Sequence, residues 1–184
     1  MEILPSFTPP KELPHPLTLT IGNFDGVHLG HQKILAKLRE QAGEKGCVSV
    51  ITFPNHPSHV LPKSPPVPLI LNPAKKLALL EKYGVDLVYL LEFTLDLAQL
   101  PYDEFIKKVR AVYPFDLLIL GKGATLGKKR EGTPEKLTAL SEKLGFRLEY
   151  LTKAEIDGET ISSGKIRAYL EEGNLTKAHT FLGH

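Results

Sequence analysis

The chain holds 184 residues, 42% of them hydrophobic and 24% charged, with a formal net charge of +2. These are globular values, and the length suffices for one α/β domain with a full core. The near-neutral balance excludes a dedicated nucleic-acid binder, no run approaches the ~20 apolar residues of a membrane-spanning helix, and the single cysteine, Cys47, excludes a disulfide framework and any cysteine zinc site.

Residues 1–16 carry five prolines and are expected to lie over the surface as an extended arm. They lack the charged opening of a secretory signal, so a cytoplasmic protein is expected. The run Leu17, Leu19, Ile21 is apolar and reads as a buried strand. It breaks at Gly22-Asn23, passes Phe24-Asp25-Gly26 and reaches His28-Leu29-Gly30-His31. A helix is expected over Gln32–Glu44, with Ile34, Leu35 and Leu38 at helical spacing. Cys47–Phe53 is a second strand rich in β-branched residues. Strand, helix and strand within 37 residues form a βαβ unit, which implies parallel strands and a right-handed crossover.

Pro54–Pro68 holds six prolines and two histidines, so a long shaped loop is expected beyond strand two. Asn72–Tyr83 resumes as a helix with Leu77, Leu79 and Leu80 apolar and Lys75 and Lys76 polar. Asp86–Leu91 is strand three, Thr94–Gln99 a short helical turn, and Tyr102–Tyr113 an amphipathic helix entered after Pro101. Strand four, Asp116–Leu120, runs into a second glycine-rich loop, Gly121–Arg130, dense in positive charge. Thr133 is expected to cap the helix Pro134–Leu144. Phe146–Leu151 is strand five, and Glu155–Thr160 a turn around Asp157-Gly158. Ile161–Arg167 opens a helix to about Glu172, and Asn174 caps the last helix, Leu175–Leu182. The alternation predicts a three-layer α/β, Rossmann-like domain with a parallel sheet of about five strands, and each chemically interesting loop follows a strand.

A strand, a glycine-punctuated turn and a helix form a general phosphate site, because glycine admits the ligand close to the backbone and the helix start supplies free N–H groups and partial positive charge. The glycine spacing excludes a P-loop and a dinucleotide fingerprint. The string GNFDGVHLGH instead resembles the signature of the HxGH nucleotidyltransferase superfamily, and its Phe-Asp-Gly form resembles bacterial FAD synthetases, the adenylyltransferase module of the riboflavin kinase/FMN adenylyltransferases. ISSGKIR at 161–167 resembles the second superfamily signature, with Gly164 where threonine is usual. ITFPNHPSHVL at 51–61 resembles the family's strand-two exit, with Asn55 where proline is usual.

The resemblance implies transfer of AMP from ATP to FMN, giving FAD and pyrophosphate with Mg2+. It assigns the chemistry to His28, His31, Arg167 and Ser162. Gly22, Asn23, Phe24, Asp25, Gly26, Gly30, Gly121 and Ser163 are implied at the nucleotide. Asp25 has an equal claim as a turn-former capping the helix start. Phe53, Asn55, His56, Pro57 and Leu69 are implied at the flavin, with no metal ligand among the protein groups. Small-molecule substrates are the expected partners, together with a separate riboflavin kinase and neither nucleic acid nor membrane.

The chain departs from the family pattern at Gly123–Leu126, where an acid and two aromatics are missing. Its organisation is expected to be an arm (1–16), the transferase domain (17–172) and a C-terminal helix or linker (173–184) with no kinase domain after it. Two alternatives stand beside this reading: an HxGH transferase for another acceptor, and a flavin- or nucleotide-binding module without catalysis.

Overall fold

Strand β2 (Leu17–Ile21) is buried along its whole length, because it lies in the middle of a parallel sheet covered on both faces. In the computed structural model, which describes residues 1–61 and 65–184, the sheet has six strands. They are β1 (Glu2–Leu4), β2, β3 (Cys47–Thr52), β4 (Leu87–Leu90), β5 (Leu117–Gly121) and β6 (Arg147–Leu151), in the spatial order β1-β4-β3-β2-β5-β6. The count exceeds the expected five because the N-terminal arm does not lie wholly free. Glu2–Leu4 adds to the edge beside β4, in register with Leu87–Tyr89. Three residues carry too little periodicity to announce a strand, so only the waiting sheet edge selects this one.

The helices α1 (Leu29–Ala42), α2 (Pro73–Lys82), α3 (Leu95–Gln99), α4 (Tyr102–Val112), α5 (Pro134–Leu144), α6 (Ser163–Glu171) and α7 (Leu175–Leu182) connect and cover the strands. Helix α1 starts three residues earlier than its apolar spacing suggests, since the His28 side chain caps it by accepting the His31 N–H, and it stops at Gly43 (φ 66°) rather than Glu44. Thr133 holds the N-cap position of α5 but its side chain caps none of the helix N–H groups. The proline-rich loop contains one 3-10 turn, Pro57–His59, and its residues 62–64 lie outside the described residues. The expected turn at 155–160 is a small hairpin of β7 (Glu155–Ile156) and β8 (Glu159–Thr160).

One core, including Leu19, Ile51, Tyr89, Phe105 and Tyr113, fills one face of the sheet. A second, including Leu35, Leu38, Val50, Leu80 and Ile119, fills the other. A third, smaller cluster joins Ile161 and Ile166 to Ala178, Phe181 and Leu182, with Leu29 and Ile70 against it. Through this cluster the last helix packs on the segments that carry His28–His31 and ISSGKIR.

The topology also places the site. From β2 the chain winds outward through β3 and β4, then returns to β5 on the other side of β2. Strand β2 pairs with β3 over five residues but with β5 only at Thr18 and Leu19. The two strands therefore part at their carboxyl ends, which opens a crevice at the point where strand order reverses.

Candidate active site

That crevice is a cavity of about 370 Å³. Its walls come from the end of β2 and the following loop (Gly22, Phe24), the start of α1 (His28, Gly30, His31), the loop after β5 (Gly121–Ala124), the loop after β6 (Thr152, Lys153) and the start of α6 (Ser162, Ser163). The two motifs GNFDGVHLGH and ISSGKIR, far apart in sequence, thus meet in one pocket with the glycine-rich loop after β5. No Asp or Glu lines it, whereas Lys122 and Lys153 do. The first turns of α1 and α6 hold no acidic residue either. Two helix starts, two lysines and no carboxylate suit an anionic ligand.

His28 and His31 stack with ring centroids 3.7 Å apart, and the Phe24 ring lies 4.6 Å from that of His31. Burial drives both imidazoles towards the neutral form: the His28 pKa falls from 6.5 to about 4, and that of His31 falls well below 6.5, with His28 and Lys76 adding repulsion. His28 Nδ1 accepts the His31 N–H at 3.4 Å, so its proton sits on Nε2. His31 Nδ1 is buried with no partner among the described residues. A buried polar atom without a partner beside an acid-free cavity is consistent with a ligand group completing it.

The loop between β2 and α1 is held from outside. The Asn23 carbonyl accepts from Thr52 Oγ1 (3.0 Å) and Lys76 Nζ (3.1 Å), that of Asp25 from Ser163 Oγ (2.8 Å), that of Gly26 from His184 Nε2 (2.8 Å), and that of Val27 from Gln32 Nε2 (2.8 Å). The Phe24 and Gly26 N–H groups have no acceptor among the described residues. Because C=O and N–H point oppositely across a trans peptide, anchoring the carbonyls turns N–H groups away from these anchors. Phe24 (φ 48°) and Val27 (φ 38°) take left-handed backbone conformations, and Val27 is fully buried. For a β-branched residue that is a strained geometry, which surrounding contacts must impose.

Asp25 does not cap α1; His28 does. Its carboxylate, 2% exposed, accepts the N–H groups of Ile70 (3.0 Å) and Leu71 (3.3 Å) and an ion pair from Arg167. Arg167 also donates through Nε to the Pro68 carbonyl (2.8 Å). Both residues stand behind the cavity rather than in its lining, as do Asn23 and Gly26. Among the residues expected at the nucleotide, Gly22, Phe24, Gly30, Gly121 and Ser163 do line it, with Ser162.

The segment expected at the flavin is outside this cavity, past the end of β3. Phe53 packs edge-on against Phe93, and Asn55 exchanges two hydrogen bonds with the Phe93 backbone, each 2.9 Å. His56 Nδ1 receives the Ser58 N–H and lies 2.8 Å from its hydroxyl, while Pro57 opens the 3-10 turn and Leu69 is half-buried.

Sequence reasoning missed two features. Lys153 follows β6, and the rule that loops after parallel strands face the ligand would have found it. Lys76, read only as a polar position of the helix, is 3% exposed beneath the loop; nothing local distinguishes it from Lys75.

A family model described as FAD synthetase matches residues 11–165. The chain is 33% identical to a bifunctional riboflavin kinase/FMN adenylyltransferase of Listeria monocytogenes, over 94% of this chain and 58% of that protein. It is also 30% identical to an FAD synthetase of the same organism, over 90% of this chain and 68% of that protein. Against other bifunctional relatives the chain spans about half their length, 54% and 52% for those of Haemophilus influenzae and Bacillus subtilis. A solved structure described as a macrolide-efflux protein from Streptococcus pneumoniae superposes with a TM-score of 0.84 at 28% identity, covering 100% of this chain and 71% of that one. Among the described residues no helix is long and apolar enough to cross a membrane.

Proposed function

The chain belongs to the FAD synthetase family, and from that premise we propose that it is an FMN adenylyltransferase. A phosphate oxygen of FMN attacks the α-phosphorus of ATP, the α–β phosphoanhydride bond breaks, and FAD and pyrophosphate are formed. The observation that carries this reading is the acid-free crevice, which joins a stacked histidine pair to two helix starts at the switch point of the sheet.

Such a transfer needs positioning and charge stabilisation more than covalent help from the protein. Neutral His28 offers its Nε2–H as a preorganised donor, and His31 stacks beside it with a ring nitrogen that has no partner among the described residues. The positive potential comes from Lys122, Lys153 and the helix starts rather than from charged histidines. Ser162 caps α6 through Lys165 N–H, so its hydroxyl proton is left for a phosphate oxygen. Arg167 reaches the site by way of Asp25, and would share its guanidinium between that carboxylate and an incoming phosphate.

Magnesium fits this site as an ion carried by the polyphosphate. The cavity lining offers no carboxylate, and no cluster of three His, Cys, Asp or Glu occurs among the described residues. When bound, it neutralises charge building on the leaving pyrophosphate. FMN is assigned to the wall past β3, formed by Phe53, Asn55, His56, Pro57 and Leu69, with its phosphate directed towards the crevice. The setting is the cytoplasm, and FMN comes from a riboflavin kinase.

The test is FAD formation from FMN, ATP and Mg2+, resolved by chromatography, for the parent and for His28→Ala and Arg167→Ala. FAD from the parent and its loss in both variants support the assignment. A second reading, binding without turnover, is favoured by the missing acid and aromatics at Gly123–Leu126. It requires calorimetric binding of ATP or FMN with no FAD at any enzyme concentration.

A further inference from the structure

Lys76 is the one buried charged lysine among the described residues, and it makes no salt bridge among them. Its ammonium donates to the carbonyl of Asn23 (3.1 Å), in the loop leaving β2, and to the carbonyl of Phe53, where the chain leaves β3. These are the two neighbouring strand exits assigned above to nucleotide and flavin. Thr52 Oγ1 shares the Asn23 carbonyl, so the tie is continuous from one exit to the other.

A neutral donor could bridge two carbonyls without the cost of a buried charge. That cost is several kcal/mol per ion unless a counter-charge is near. The nearby carboxylate, Asp25, is already committed to Arg167 and two backbone N–H groups. The other groups facing Lys76 are His31 from α1 and His56 from the turn after β3, both neutral-leaning, while Arg167 from α6 joins the group through its ion pair with Asp25. The local charge is thus one carboxylate against two cations, an excess that anionic substrates would balance.

Resting on the function proposed above, we infer that Lys76 is a positioning residue that clamps the nucleotide loop to the acceptor loop, with its charge balanced by the bound phosphates. It lies outside the cavity lining and acts through the Asn23 and Phe53 carbonyls. Burial lowers its pKa from 10.5 to about 8, so in the free protein the charge is lost in the mildly alkaline range.

The experiment compares the wild-type protein with Lys76→Met, which keeps the length and apolar stem while removing donor and charge, and Lys76→Gln, which keeps a neutral donor. Met and Gln avoid a lone buried charge, so both are expected to fold, which thermal melting checks. Steady-state kinetics with FMN, ATP and Mg2+ are measured from pH 6 to 10, well below the melting temperature. The expected result is at least a tenfold fall in kcat/KM for both substrates in Lys76→Met, with a partial recovery in Lys76→Gln. The wild-type kcat/KM falls above about pH 8, and that limb is missing in both variants.

Unchanged kcat/KM values in a folded Lys76→Met protein with the alkaline limb intact would overturn the inference. A loss confined to one substrate would overturn the clamp as well. If the wild type binds ATP and FMN but forms no FAD, the proposed function fails separately. The clamp is then judged on the two dissociation constants, and it stands only if Lys76→Met weakens both at least tenfold.

Discussion

Replacing Asp25 by asparagine keeps the shape of the side chain and removes the negative charge that joins three segments. The carboxylate is 2% exposed and accepts two backbone N–H groups, from Ile70 and Leu71, while its partner Arg167 is 13% exposed. Deleting one member of a buried pair leaves the other uncompensated and typically costs ~3–5 kcal/mol. Arg167 keeps some solvent and its bond to the Pro68 carbonyl, which points to the lower end, about 3 kcal/mol. A chain of this size loses about 2–4 °C of melting temperature per kcal/mol, so a fall of roughly 6–12 °C is expected. The assay is urea and thermal unfolding followed by far-UV circular dichroism, run as a cycle with Arg167→Met and the double variant. A coupling of about 1–3 kcal/mol is expected for groups in direct contact. A change in Asp25→Asn within about 0.5 kcal/mol, as for an ordinary surface substitution, would refute the reasoning. So would strict additivity in the cycle.

Burial of neutral His28 has a definite pH signature. Its folded pKa of about 4 lies below the ordinary 6.5, so between these values the unfolded chain binds a proton that the folded chain does not. The stability is fully present above about pH 6.5 and is lost as pH falls towards 4, by about 3 kcal/mol from this residue. His28→Asn, which can still cap α1 through its side-chain oxygen, should flatten that part of the urea-midpoint profile; an unchanged slope would contradict it. In Gly30→Ala, the added methyl would stand 3.1 Å from His28 Cε1 and 3.2 Å from Nδ1. Calorimetry should therefore record weaker ATP binding from a displaced imidazole, with melting within a few degrees of the parent. At Gly164 the nearest atom to an added Cβ is Ser162 Oγ at 3.9 Å, so Gly164→Ala should stabilise α6 by ~0.5–1 kcal/mol, read as a higher melting temperature.

Much of the architecture was legible locally. Apolar β-branched runs, a glycine turn after each of two strands, and capping residues such as Asn72 and Asn174 specify elements through interactions within a few residues. The βαβ order then restricts the sheet to parallel strands, and so places the motif loops at one end of it. The string around His28 and His31 could be recognised for the same reason, since a strand, a tight turn and a helix start are contiguous in the chain. The loop after β5 was recognised as glycine-rich and basic, with Gly121 expected at the nucleotide, yet that Lys122, Gly123 and Ala124 also face the crevice was not legible.

What remained depended on contacts between distant residues. Asp25 meets Arg167 across 142 positions, and Gly26 meets His184 across 158. Neither pairing leaves a mark on local periodicity. Residues 173–184, expected as a helix or linker, dock through Leu182 and His184 onto the loop that carries the motif. Charge state was equally out of reach. A histidine's composition says nothing of its burial, and the stacked pair is neutral only because tertiary packing withdraws it from water. Lys75 and Lys76 are adjacent and chemically identical, and one is exposed while the other lies buried under the site. The sequence by itself determined most of the elements, their order and the chemistry available to the loops, because those follow from short-range sterics and hydrophobic spacing. Only the tertiary structure decided which charges are buried, which carbonyls are anchored and which loop surfaces meet, because desolvation and pairing are set by neighbours the chain brings in from far away.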